Sequence, residues 1–186
     1  MFHAFAKFLL TLSEEMIEVL FNPETWPSLK VFLAEHLKLM WRSITYDQSG
    51  GLMPLIKSAV GPNNERYINT DITQKRFPLM GTGVRTVKCR VEACLDGESS
   101  EKAATRLVAA GHILGNTGDL AGYLRAYPEE VEKWVWVLAI SEDSRWSRPG
   151  GYVVVPYANV NGSNRNFDLY DFRDQLNSRN GILVRS

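Results

Sequence analysis

Cysteine is scarce in this sequence. Cys89 and Cys94 are the only two in 186 residues, which excludes a disulfide framework and leads to the expectation of a reducing, cytoplasmic setting. An excess of charge of one sign is missing too, because 21 basic residues meet 21 acidic ones. That balance removes the global attraction typical of nucleic-acid or anionic-membrane binders and leaves such binding to local patches. Histidine is limited to His3, His36 and His112, with no pair at helical ligand spacing. Cys89 and Cys94 lie five positions apart on one expected strand, hence on opposite faces, so neither a metal nor a cofactor is expected. No GxSxG, Walker A, HExxH or EF-hand pattern occurs, which lowers the expectation of the common enzyme classes. Gly81-Thr82-Gly83 precedes a strand, where a phosphate loop would follow one, and reads as a turn.

A long hydrophobic run is also lacking. The apolar start from Phe2 to Leu12 is too short to span a bilayer, and Ser13-Glu14-Glu15 interrupts it without a small-x-small cleavage site. A retained helix is therefore expected there in place of a secretion signal. What is present is ordinary globular material, 45% hydrophobic and 23% charged, enough for a single domain over residues 1–186 with one core.

Phe2, Phe5, Leu9, Leu12, Met16 and Val19 recur at helical spacing, and Leu29, Phe32, Leu33, Leu37, Met40 and Ile44 follow a Ser28 cap. These predict a helical hairpin over residues 1–46, serving as core or as a self-association element of a homo-oligomer. A short helix is expected over Leu52 to Val60, between glycine-containing turns. From Val84 the period changes to two, with Cys89 and Val91 opposed to Lys88, Arg90 and Glu92, which reads as a strand with one wet face. Ser99 or Ser100 should cap a helix carrying Ala103, Ala104, Leu107, Val108, Gly111 and Leu114 inward as far as Gly115-Asn116. Helices around Asp119–Ala126 and from Pro128 come next, then strands over 134–140, 152–157 and 182–184. The order predicts an α+β fold: the N-terminal helical hairpin, then an α+β core over 84–186 with a mainly antiparallel sheet and one or two covering helices.

The stretch from Arg145 to Arg185 concentrates arginine, aromatic and asparagine side chains. Trp146, Arg148, Tyr152, Tyr157, Asn159, Asn161, Asn164, Arg165 and Asn166 form the candidate binding surface, since rigid rings give contact area at low entropy cost and amides adapt their hydrogen bonds. The same residues admit a structural reading, in which the asparagines only suit turn geometry and the tyrosines flank a buried strand. The unknown partner is a protein or small ligand; single-stranded nucleic acid is less favoured on a neutral chain, and no membrane is expected. The alternative is a metal-dependent hydrolase, with Asp168, Asp171 and Asp174 on one face of a helix and His112 assisting. On its own pattern His112 reads as a partly exposed histidine in mid-helix.

The segment from Trp146 to Phe167, with Val153-Val154-Val155-Pro156-Tyr157, Asn161-Gly162-Ser163 and Arg165-Asn166-Phe167, resembles the end of certain uncharacterised bacterial proteins. Those tails look like the closing part of C-type-lectin-like, formylglycine-generating-enzyme-like domains, and the resemblance implies ligand display by loops. The chain departs from them in having Leu176 where a tryptophan stands and Gly181-Ile182 where an aromatic-Arg-Phe step stands. A non-enzymatic binding or accessory protein, with no catalytic residue assigned, is the leading expectation.

Overall fold

Strand β1 (Arg42–Asp47) buries Ile44 and Tyr46 while Ser43 and Thr45 face water, in a computed structural model that describes residues 41–62 and 67–186. This corrects the expected run of the second helix to Ile44: the alternation and the β-branched Ile44 and Thr45 suit a half-buried strand. The rest of the expected hairpin, with His3 and His36 and any self-association through it, lies outside the described residues. Helix α1 (Leu52–Val60) is bracketed by Gly51 and Gly61, both at φ 80°, and turns Leu52, Leu55, Ile56, Ala59 and Val60 inward. Strand β2 (Tyr67–Ile68) is short. Strand β3 (Val84–Ala93) follows the expected alternation, with Cys89 and Val91 buried and Lys88 exposed.

Helix α2 (Ser100–Ala109) starts at Ser99, whose hydroxyl accepts from the Lys102 amide at 3.3 Å, and packs Ala103, Ala104 and Leu107 inward. It stops well before the expected Gly115-Asn116. Gly111 adopts a left-handed φ of 84°, which only glycine takes without strain, so Val108 stays exposed and Ile113–Leu114 become strand β4. His112 therefore follows the helix and is not inside it.

Helix α3 (Thr117–Ala126) opens with a capping box, Asn116 and Asp119 each accepting from the other's backbone amide at 2.8 and 3.1 Å. Its Gly118 and Gly122 lie flat on β1: a Cβ at Gly122 would meet the Tyr46 ring at 2.7 Å. Asp119 is fully buried and also accepts from the Tyr46 hydroxyl at 2.7 Å. Burial raises its carboxyl above the ordinary value, against the hydrogen bonds from Tyr46 and Asn116. Helix α4 (Pro128–Val131) has proline in its first turn. Strands β5 (Trp136–Leu138), β6 (Trp146–Ser147), β7 (Val153–Asn161), β8 (Asn164–Asp171) and β9 (Asn180–Arg185) complete the strands of the described residues, with a 3-10 turn at Glu142–Ser144 between β5 and β6.

All the strands of the described residues belong to one nine-stranded sheet of order β1-β3-β9-β5-β7-β8-β2, with β4 beside β9 and β6 beside β7. The sheet is mixed, since β5 runs parallel to β9 and β2 parallel to β8, and four helices accompany it among the described residues. The expected mainly antiparallel sheet with one or two covering helices is thus overturned. The physical reason is that β9 returns to pair between β3 and β5, a long-range choice with no imprint on local periodicity.

Each face of the sheet carries its own apolar core. The first joins Ile44, Tyr46, Ile56, Leu120, Leu124, Val137, Ala158, Phe167 and Leu183 with α1 and α3. The second joins Ala104, Leu107, Leu138, Ile140, Val155, Phe172, Ile182 and Val184 with α2. Alternation along β9 sends Leu183 to one core and Ile182 and Val184 to the other, which is why this strand reads as a continuous apolar run. Cys89 lies in the first core and Cys94 in the second, as free thiols; burial pushes the Cys94 thiol up to about 12, leaving it protonated and inert. Among the described residues no helix is long and apolar enough to cross a membrane.

Candidate functional site: the aromatic and amide face of the sheet

Strands β7 and β8 form an antiparallel hairpin whose register pairs Val155 with Tyr170, Tyr157 with Asp168, Asn159 with Asn166 and Asn161 with Asn164. Its two-residue loop has Gly162 at a φ of 59°, the geometry that lets so short a turn follow the twist of the strands, and the Gly162 amide donates to Glu132 at 3.1 Å. Side chains alternate across a strand, so those four pairs share one face. Pro156, Ala158 and Val160, with Leu169, Phe167 and Arg165, share the other.

Trp136 of β5 lies on the first of these faces, with ring centroids 5.3 Å from Tyr157 and 5.0 Å from Tyr170 and both pairs tilted. Such geometry is attractive between ring quadrupoles and fixes the three rings as one platform. Asp168 is held from two sides, by the Asn69 side-chain amide at 2.6 Å and the Tyr157 hydroxyl at 3.2 Å. Burial, and then the Asp168 charge, pushes the Tyr157 phenol up to about 12, so it remains a donor. Tyr67 of β2 pairs with Asn166, donates its amide to the Asn166 side chain at 3.2 Å, and is 51% exposed. Asn159 and Asn164 have amide oxygens without any hydrogen-bond partner. Both oxygens are buried, so turning either amide outward breaks no hydrogen bond at that oxygen and relieves an unmet acceptor.

The structure brings Tyr157, Asn159, Asn161, Asn164 and Asn166 together and separates the other residues of the expected surface. Arg165 points to the opposite face and donates to the Ala59 carbonyl of α1 at 3.1 Å. Trp146 is clasped between guanidinium groups, Arg76 at 4.0 Å and Arg148 at 5.6 Å from its ring, and both arginines pair with Asp71. Its π face is occupied, so this cluster buttresses the loop around Asp71. Tyr152 stands apart and exposed beside Gly150.

The acidic alternative loses its geometric premise. Asp168 lies in strand β8 and Asp171 ends it, so the helix that was to align them with Asp174 is absent. Among the described residues no three His, Cys, Asp or Glu side chains gather as metal ligands. His112 stands across from Glu92 at 3.8 Å.

Trp136, Tyr170 and Asp168 are among the members of the face that the sequence pattern does not assign to it. Trp136 sat inside an apolar run and Asp168 in an apparent helix; the strand register, invisible locally, places both. No family model, no curated protein and no solved structure matches the chain.

Proposed function

We propose that this chain is a non-enzymatic binding protein whose recognition surface is the face of the sheet carrying Trp136, Tyr157, Tyr170, Asn159 and Asn166. The observation that carries this reading is a platform of three touching, partly buried rings at the margin of the second core, bordered by the Asn159 and Asn164 amides whose oxygens have no hydrogen-bond partner. Rings of this kind stack on flat or apolar ligand faces, and amides both donate and accept toward hydroxyls. The charge of the face selects among ligands: its paired positions on β7 and β8 supply the Asp168 carboxylate and no cation, because Arg165 is turned away. Phosphate backbones need arginine or lysine along their path. The fitting ligand is uncharged and rich in hydroxyls, with neutral oligosaccharides the best representatives. A cytoplasmic setting belongs to this proposal, supported by the two free, buried thiols.

Titration of the full chain with neutral gluco- and manno-oligosaccharides, followed by tryptophan fluorescence, tests the reading, with a single-stranded oligonucleotide as the competing ligand. The variants Tyr157→Ala and Asn159→Ala are expected to weaken oligosaccharide binding about tenfold or more, the scale of an interface anchor. Asn159→Ala should not lower the melting temperature, since its buried side-chain oxygen has no hydrogen-bond partner to lose. Absence of oligosaccharide binding, or affinity indifferent to both substitutions, contradicts the proposal; preference for the oligonucleotide contradicts its charge argument.

A further inference from the structure

A cavity of about 1040 Å³ lies between α2, β4 and the turn that enters α3. One wall is apolar, with Val108 and Ile113 left 57% and 51% exposed and Phe172 behind them. The other wall presents Arg85, Arg145 and Arg185.

The donor accounting of these arginines is incomplete. Arg85 and Arg185 approach the buried Asp119 at 3.5 and 3.7 Å, too far or too oblique for hydrogen bonds, and their side chains are only 23% and 27% exposed. The Arg85 Nε, the atom that faces Asp119, is buried and makes no hydrogen bond. Arg145 lies over the Phe172 ring at 4.5 Å and turns its Nε and Nη2 to the Ile140 carbonyl, both at 3.1 Å, leaving Nη1 unengaged. Two guanidinium groups thus share one carboxylate whose lone pairs already serve Tyr46 and Asn116. These partly exposed forks, with the Arg85 Nε buried and unpaired among them, can take further acceptors, and an oxyanion presents them in matching geometry. The acids lining the cavity do not supply them: Glu101 and Glu142 are exposed at its edge, and Asp143 takes its hydrogen bonds from Ser141 and Asn116.

We propose that this cavity binds a small amphipathic oxyanion, its phosphate or carboxylate head between Arg85 and Arg185 and its apolar body along Val108, Ile113 and Phe172. The edge acids repel extended polyanions, so the ligand is a small molecule and not a nucleic acid. This site stands independently of the sheet face and would serve a second, charged ligand.

Calorimetric titration of the full chain with phenyl phosphate, benzoate and inorganic phosphate tests it, the first two separating phosphate from carboxylate recognition. At least one organic anion should bind and raise the melting temperature. Arg185→Met should weaken that binding about tenfold or more. Val108→Asp, at an exposed position where folding is not at stake, should weaken the organic anion similarly by placing a like charge beside it. If Arg185→Met fails to fold, Val108→Asp alone decides. Lack of binding by both organic anions, or binding indifferent to Val108→Asp, overturns the proposal; inorganic phosphate binding as tightly as phenyl phosphate removes the role of the apolar wall and overturns it too.

Discussion

Substituting Gly181 by alanine is expected to cost the fold about 3 kcal/mol, the upper end of what overpacking by one methyl group does in a filled core. A Cβ at this position overlaps Cγ1 of Val91 and stands 3.0 Å from the Trp134 ring. The backbone cannot retreat, because Gly181 is paired on both sides, with Ala93 of β3 and Val137 of β5. Val91→Ala on its own should also destabilise, since that side chain is only 3% exposed. In the double variant the new methyl group occupies space that Val91 vacates, so the combined loss should fall well short of the sum of the two. Urea unfolding of the four proteins measures this, and simple additivity would show that the Val91 contact is not the seat of the strain.

Removal of the Asp119 carboxylate is expected to have a comparable effect by another route. Asp119→Ala removes the reciprocal half of the capping box, the bond from the Asn116 amide, worth about 1 kcal/mol, and deprives the Tyr46 hydroxyl of its acceptor, worth about 1–3 kcal/mol. It also leaves Arg85 and Arg185 facing one another without a counter-charge. Asp119→Asn should be milder, since its amide can still accept from the Asn116 N–H and donate to Tyr46. The two variants differ most usefully with pH. Burial raises the folded-state carboxyl above its ordinary 3.8, so within that window the folded chain holds a proton that the unfolded chain has released. Stability therefore falls as pH rises through the window. Glu98 works in the opposite sense: Arg106 holds it below its ordinary 4.5, and the stability it contributes is lost as pH falls through its folded-state value. Unfolding measured at a series of acidic pH values should show the descending limb in the parent protein and its disappearance in Asp119→Asn. Persistence of that limb in the variant would assign it to another group.

Local elements were readable wherever the chain's own chemistry decides them. Gly51 and Gly61 delimit α1, Ser99 opens α2, and the alternation around Cys89 and Val91 marks β3. The misreadings came where two periods coincide. Leu169, Phe172 and Leu176 are spaced as on a helix, yet Leu169 packs on the first core while Phe172 and Leu176 belong to the second. A strand leading into a turn can satisfy that spacing as well as a helix can. The candidate site was legible in residue type but not in membership. Tyr157 and its neighbouring asparagines were identified, whereas Trp136 joins them only through its place on β5, next to β7. Arg165 was lost for the same reason, because a single step of strand register decides which side of the sheet it serves.

Strand β9 has a consequence for how this molecule is made. It is synthesised after every other described strand, yet it lies between β3 and β5 and joins the β1–β3 pair to the β5–β7–β8–β2 group. The edges of β3 and β5 that β9 covers therefore stay unpaired on the ribosome until β9 has emerged. Open edges of this kind are templates for pairing between neighbouring chains, so the interval before closure is when the newborn protein is most exposed to aggregation and most in need of a chaperone.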